Sequence, residues 1–233
     1  MKMRKALKGI SLAVGFLASG FAAASPIDDL TQLTIEDANE WLPAGLKSRQ
    51  QVAISGIQKG VDAGMFDLDA TVVGGGYVNL LAFCLQPEAR LETYDNPYTA
   101  HKLGSAFGQE REFAASGIAK LWAEYRDDVV SGKTAAAFQL AVWELASDGA
   151  TDLADGGFRV LDLTVGSAGA MAQEWLSSLA NLTRTAGNLY VLKDDAADPD
   201  RQDLLIQTPL PGTLGLVGLG LLGLGAIRRK TQA

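Results

Sequence analysis

The run Thr134-Ala-Ala-Ala-Phe-Gln-Leu-Ala-Val-Trp-Glu-Leu-Ala146 constrains this chain most. It is apolar nearly all round, so as a helix it has no face to give to water and must be buried by the rest of the fold. Beyond Thr134 its only polar side chains are Gln139 and Glu144. Five residues apart on a helix, they lie about 140° from one another, so Glu144 does not share the surroundings of Gln139. Trp143, one turn on, lies on the same face as Gln139. A buried carboxamide without partners costs about 1–3 kcal/mol, so Gln139 is either a satisfied core glutamine or a chemically used one.

Other stretches supply what surrounds this helix. Glu110 to Val129 is amphipathic, with Phe113, Ile118, Leu121, Trp122, Tyr125 and Val129 on one face. Ser167 to Leu182 predicts a further helix around Met171, Trp175 and Leu179. Tyr77 to Leu85 reads as a buried strand that follows a bend at Gly74-Gly75-Gly76, and Cys84 lies near its end. Asn188 to Lys193 and Leu204 to Gln207 read as paired strands joined by an acidic turn containing Pro199. Nearer the start, Thr34-Ile-Glu-Asp37 predicts a helix capped by Thr34 and ended or restarted at Pro43, and Leu46 to Lys59 predicts another. The fold class expected is α+β, a helical central region packed with β-strands.

Two glycine patterns fail as nucleotide sites. Asp127 stands where a phosphate-binding loop ending in Gly132-Lys133-Thr134 needs its first glycine, so the segment reads as a helix-helix turn. Asn79 takes the last glycine's place after Gly74-Gly75-Gly76. Asn181-Leu-Thr183 matches a glycosylation acceptor by chance.

Charge and cysteine usage exclude several functions. Of 20 basic residues, four lie in 1–24 and three in 208–233, where no acidic residue occurs. The 183 residues between carry 13 basic and 27 acidic side chains, a formal charge of −14 that repels phosphate backbones and excludes nucleic acid as a partner. Cys84 and His101 stand alone of their kinds, so no metal or haem site of several Cys and His ligands and no intrachain disulfide can form, and no cofactor is expected.

The ends read as targeting devices. Residues 1–24 have a basic start, an apolar stretch from Ile10 to Phe21 and the small run Ala22-Ala23-Ala24, the layout of a signal peptide cleaved after Ala24. Residues 25–207 would be the exported domain. In 208–233, Pro209-Leu210-Pro211-Gly212 precedes the uncharged run Thr213 to Ile227 and then Arg228-Arg229-Lys230. As a helix, Pro209 to Ile227 would measure ~28 Å, enough to span the inner membrane with its basic end in the cytoplasm. This tripartite tail resembles the PEP-CTERM sorting signal of Gram-negative bacteria that make exopolysaccharide, with Leu210 where that family usually has Glu. The resemblance implies processing by an exosortase, transient membrane anchoring, and delivery to the cell surface or extracellular matrix.

Cys84 is either a buried small hydrophobe or a reactive thiol. Phe83-Cys84-Leu85 at a strand end, followed by Phe138-Gln139-Leu-Ala-Val-Trp143-Glu144, resembles the thioester domains of bacterial surface adhesins. In that family the cysteine of a Tyr/Phe-Cys-aliphatic motif is joined to the glutamine of a Thr-Gln-x-Ala-aliphatic-Trp motif. The resemblance implies that Cys84 is the thioester sulfur and Gln139 the acyl donor, with Phe83, Phe138 and Trp143 packing around the bond; Phe138 stands where the family usually has Thr. Such a protein captures an amine on a surface or matrix molecule once and is consumed, so it is a covalent binder and not an enzyme with turnover. Two readings compete with it. One is a structural matrix protein in which Cys84 and Gln139 are ordinary core residues. The other is a cysteine hydrolase in which His101, read as lying in a loop, serves Cys84 as base beside a carboxylate such as Asp95.

Overall fold

The computed structural model describes residues 27–40, 45–89, 96–194 and 201–208. The signal segment 1–24, Pro43, Asp95, the turn at Pro199, and the sorting tail with Pro209, Pro211, Arg228 and Arg229 lie outside these residues. Among the described residues no helix is long and apolar enough to cross a membrane. The span expected from Pro209 to Ile227 is not among them.

Strands β1 (Gln32–Glu40), β4 (Phe66–Val72), β5 (Tyr77–Cys84), β6 (Asn96–Lys102), β8 (Leu189–Asp194) and β9 (Leu204–Gln207) close into an antiparallel barrel in the order β1-β4-β5-β9-β8-β6. A separate sheet has the order β3-β2-β7, from β2 (Lys47–Ile54), β3 (Ile57–Gly64) and β7 (Phe158–Val160). The helices are α1 (Leu103–Phe107), α2 (Glu112–Tyr125), α3 (Gly132–Ser147) and α4 (Ala168–Ser178). The α+β expectation holds for the described residues, with a closed barrel that the sequence pattern did not predict.

Alternation along the barrel strands sorts the side chains. Leu33, Ile35, Leu68, Ala70, Leu80, Ala82, Ala100, Leu192, Leu204 and Ile206 fill the interior and are all buried. On the outer face of β4 and β5, Asn79 donates to the carboxylates of Asp67 and Asp69, and Leu81 is exposed. Where the helices cover the barrel, the outer residues Phe83, Val191 and Leu205 are buried as well.

Helix α3 is buried at every position from Ala135 to Ala146, as its composition demands. Ser131 accepts from the Thr134 amide at 3.2 Å and Thr134 Oγ1 accepts from the Ser131 amide at 3.0 Å, a reciprocal cap that starts the helix. A Cβ at Gly132 would sit 2.3 Å from the Lys47 carbonyl oxygen, so this glycine lets the helix meet β2 closely and has no phosphate-binding role. Phe138 packs on Phe83 with centroids 4.6 Å apart and meets Trp122 of α2 at 5.6 Å and Trp175 of α4 at 6.5 Å. This aromatic cluster joins three helices to the barrel.

Two helical expectations near the start are corrected. Thr34 does not cap a helix: it lies within β1, where Leu33 and Ile35 point inward and Thr34 and Glu36 outward, a period of two that outweighs the local capping pattern. Leu46 to Lys59 folds as the β2–β3 hairpin around Ser55 (φ 48°) and Gly56 (φ 83°), a left-handed pair that a helix does not contain. The loop expected at Asn96 to His101 is strand β6.

Replacing Phe138 by Ala removes the ring shared by α2, α4 and β5. The expected loss of stability is about 3–5 kcal/mol, read as a lower urea midpoint at unchanged slope.

Candidate functional site

Cys84 ends β5, and the reason it has an unoccupied backbone edge lies in β4. The β4–β5 ladder runs as far as Phe66↔Ala82. Before Phe66 the chain turns at Met65 into β3, so no barrel strand stands opposite Cys84 on that side. The other edge of β5 is met by β9, with Cys84 opposite Leu204 and the Leu85 amide donating to the Asp203 carbonyl at 3.0 Å.

Gln139 fills the unoccupied edge. The Cys84 amide donates to Gln139 Oε1 at 3.0 Å, and Gln139 Nε2 donates to the Cys84 carbonyl at 2.8 Å. The carboxamide therefore acts as a one-residue strand across a sequence separation of 55. Both residues are removed from water, Cys84 at 4% and Gln139 at 1% exposure. The thiol is free of any disulfide, and burial pushes its pKa well above the ordinary range, so it rests as neutral S–H.

The two motifs picked out from the sequence thus meet, while their flanking residues divide. Phe83 and Phe138 stack beside the pair. Trp143 is buried against Phe158 of β7, with centroids 5.9 Å apart, so its ring serves the contact between α3 and the small sheet. His101 is a half-buried outer residue of β6, opposite Val191, whereas Cys84 follows the inward alternation of Leu80 and Ala82. Strands β5 and β6 are three steps apart either way round the barrel. The barrel wall therefore separates imidazole from thiol, and the geometry of a Cys–His hydrolase is not present. Among the described residues no group of three Cys, His, Asp or Glu side chains is placed to hold a metal.

Sequence reasoning missed Tyr98, on the inner face of β6 and fully buried, whose hydroxyl donates to the Gln202 carbonyl at 3.3 Å. Pro97 and Asn96 beside it gave the segment a loop-like composition; the alternation Tyr98, Ala100 was the available signal. Glu144 is the second buried polar group of α3. One carboxylate oxygen accepts from the Asp152 amide at 3.2 Å and the other has no partner among the described residues. Burial, with the neighbouring Asp148 charge, pushes its pKa up to about 8.

Replacing Gln139 by Leu strands one donor and one acceptor of Cys84, and the expected cost is about 1–3 kcal/mol for each in urea unfolding. Glu144 sets a pH dependence. Its carboxyl holds its proton in the folded chain after the unfolded chain has lost it, so stability falls as pH rises from the ordinary carboxylate range to about 8 and is flat beyond. In Glu144→Gln that slope disappears from a series of urea midpoints against pH.

Comparison with known proteins adds an address and two similar structures. Residues 207–230 match the PEP-CTERM protein-sorting motif, which implies export, sorting to the cell surface and processing by an exosortase. No curated protein matches the chain. The chain is similar to the N-terminal thioester domain of the fibronectin-binding protein SfbI from Streptococcus pyogenes at 16% identity and a TM-score of 0.42, covering 76% of this chain and 98% of that one. It is also similar to the N-terminal thioester domain of a surface protein from Clostridium perfringens, at 12% identity and a TM-score of 0.43, covering 77% and 100%.

Proposed function

We propose that this exported surface protein forms an internal thioester between Cys84 and Gln139 and uses it once to capture an amine covalently. The observation that carries the reading is the paired hydrogen bond between the Gln139 carboxamide and the Cys84 backbone. It presents one buried carbonyl carbon to one residue that carries a nucleophile.

The chemistry follows from those contacts. The Cys84 amide already donates to Oε1, so the same N–H stabilises the oxyanion when sulfur adds to the carbon. The donated bond from Nε2 to the Cys84 carbonyl fixes which side of the amide faces the strand. Sulfur forms a bond to Cδ, the Cδ–Nε2 bond breaks, and the amide nitrogen leaves as ammonia with the proton that the thiol gave up. A primary amine later attacks the same carbon. Its nitrogen joins Cδ, the C–S bond breaks, and Cys84 returns as the thiol. With a lysine as the amine the product is an isopeptide bond; other amines on surface or matrix molecules give the equivalent amide. Burial of both residues slows loss of the acyl group to water. Each chain acts once, which makes it a binder without turnover.

The competing reading, a structural surface protein with a satisfied core glutamine, draws on the same two hydrogen bonds and on the neutral thiol. Mass separates the two. The full exported chain is expected to weigh one ammonia less than its processed sequence, to resist alkylation when unfolded, and to gain one methylamine on treatment with that amine, while Cys84→Ala does none of these. A chain of full sequence mass with an alkylatable thiol overturns the thioester.

A further inference from the structure

Both steps of this chemistry move a proton on or off a sulfur that burial keeps neutral, which raises the question of what holds that proton. The barrel register supplies a candidate. Ala100, Leu192, Leu204 and Cys84 form one row around the wall, through the pairs Ala100↔Leu192, Leu192↔Leu204 and Cys84↔Leu204. Tyr98 projects inward from the next row toward the rim, opposite Asp194 on β8. It starts on β6, the strand facing β5 across the barrel, yet its hydroxyl bonds the Gln202 carbonyl, two residues before Leu204. Gln202 Nε2 in turn donates to the carbonyl of Gln86, two residues beyond Cys84. The ring therefore crosses the interior and delivers its O–H to the Cys84 side.

The groups around that hydroxyl suit a proton holder. Its bond to Gln202 is long at 3.3 Å, and a phenolic hydrogen turns about the C–O bond at little cost. Among the described residues, Asp194, Asp203 and Arg201 are the charged groups that act on this hydroxyl, with Arg201 paired to Asp194 at 3.2 Å. Burial first and the Asp194 carboxylate second push the phenol above its ordinary pKa. The phenol accordingly keeps its proton at neutral pH.

On the reading that Cys84 and Gln139 form a thioester, we infer that Tyr98 is the proton donor to the Cys84 sulfur when the acyl group leaves. As the incoming amine nitrogen bonds Cδ and the C–S bond breaks, the Tyr98 hydroxyl hydrogen passes to sulfur, and the proton released by the new amide nitrogen returns to the Tyr98 oxygen. No charge is left in the barrel. In thioester formation the same path runs backwards, with the thiol proton passing to the Tyr98 oxygen as the tyrosine's own proton goes to the departing ammonia.

The test follows methylamine capture by the full exported chain, using intact mass against time. In Tyr98→Phe the rate is expected to fall about 10²-fold, as for loss of a general acid, with a modest fall in melting temperature from the unpaired Gln202 carbonyl. A second variant carries trifluorotyrosine at position 98, which keeps the ring and lowers the phenol's pKa. Since a donor must be protonated, this variant loses rate on going to alkaline pH in a range where the unmodified chain shows no loss. A purely packing role for the ring moves neither the pH profile nor the rate of the fluorinated chain, and that result overturns the inference even if Tyr98→Phe fails to fold. If the unmodified chain captures methylamine and both variants match it, Tyr98 is not the donor and the thioester stands. If the unmodified chain captures none, the thioester itself falls and the donor with it.

Discussion

The molecule depends on a side chain taking the place of a strand. Where β4 leaves the barrel at Phe66, the N–H and C=O of Cys84 face a gap that water cannot fill, and a buried unpaired backbone pair is not tolerated. A carboxamide is the one ordinary side chain that offers an acceptor and a donor with the spacing of a peptide group. Gln139 meets both, and this ties α3 to β5 at a single residue. The close approach of Gly132 to the Lys47 carbonyl fixes the other end of the helix against β2. These two contacts hold both ends of a helix whose remaining buried surface is apolar apart from Glu144.

The same constraint explains which parts of the fold were legible in the sequence. Helices α2, α3 and α4 were readable because each buries a stripe or a whole surface in the 3.6-residue period, although Phe113, expected on the α2 stripe, is exposed, and β5 and the β8–β9 pair because their apolar runs are short and bounded. The first strands were not. Gln32–Glu40 mixes polar and apolar residues in a way that satisfies a capping pattern over four positions, and only pairing with both β4 and β6 selects the extended form. The β2–β3 hairpin is half exposed, so its apolar content is low, and its turn at Ser55-Gly56 was the usable signal. Closure of the barrel could not be read locally, since β1 and β6 meet across more than sixty residues. At the candidate site the meeting of Cys84 and Gln139 was legible from the two motifs, whereas the inward place of Tyr98 was signalled only by its alternation with Ala100.

Helix α3 also shows how two buried polar groups can be settled differently. Gln139 is neutral and has both ends of its amide paired, so it can rest in the core without distortion. Glu144, a little more than one turn away, has one oxygen paired and sits near Asp148 and Asp152, and it is eased by holding a proton. The sequence separation of five that keeps these residues on different faces also keeps a titrating carboxyl away from the Cys84 carbonyl. A carboxylate at position 139 itself would place two acceptors against one donor and one acceptor, so the geometry at Cys84 selects glutamine over glutamate on hydrogen bonding alone.

If Cys84 and Gln139 form the proposed thioester, its place within the barrel meets two demands that oppose each other. A thioester survives only where water is excluded, yet it is useful only if an amine can arrive. Cys84 is the last residue of β5 and lies one inward row below the rim formed by Tyr98, Asp194, Gln202 and Gln86. Deeper in the interior, Leu68, Ala82 and Ile206 would shield the bond completely and leave no route to it. One row down, Cys84 lies beneath polar side chains joined to one another by hydrogen bonds and by the Arg201–Asp194 ion pair.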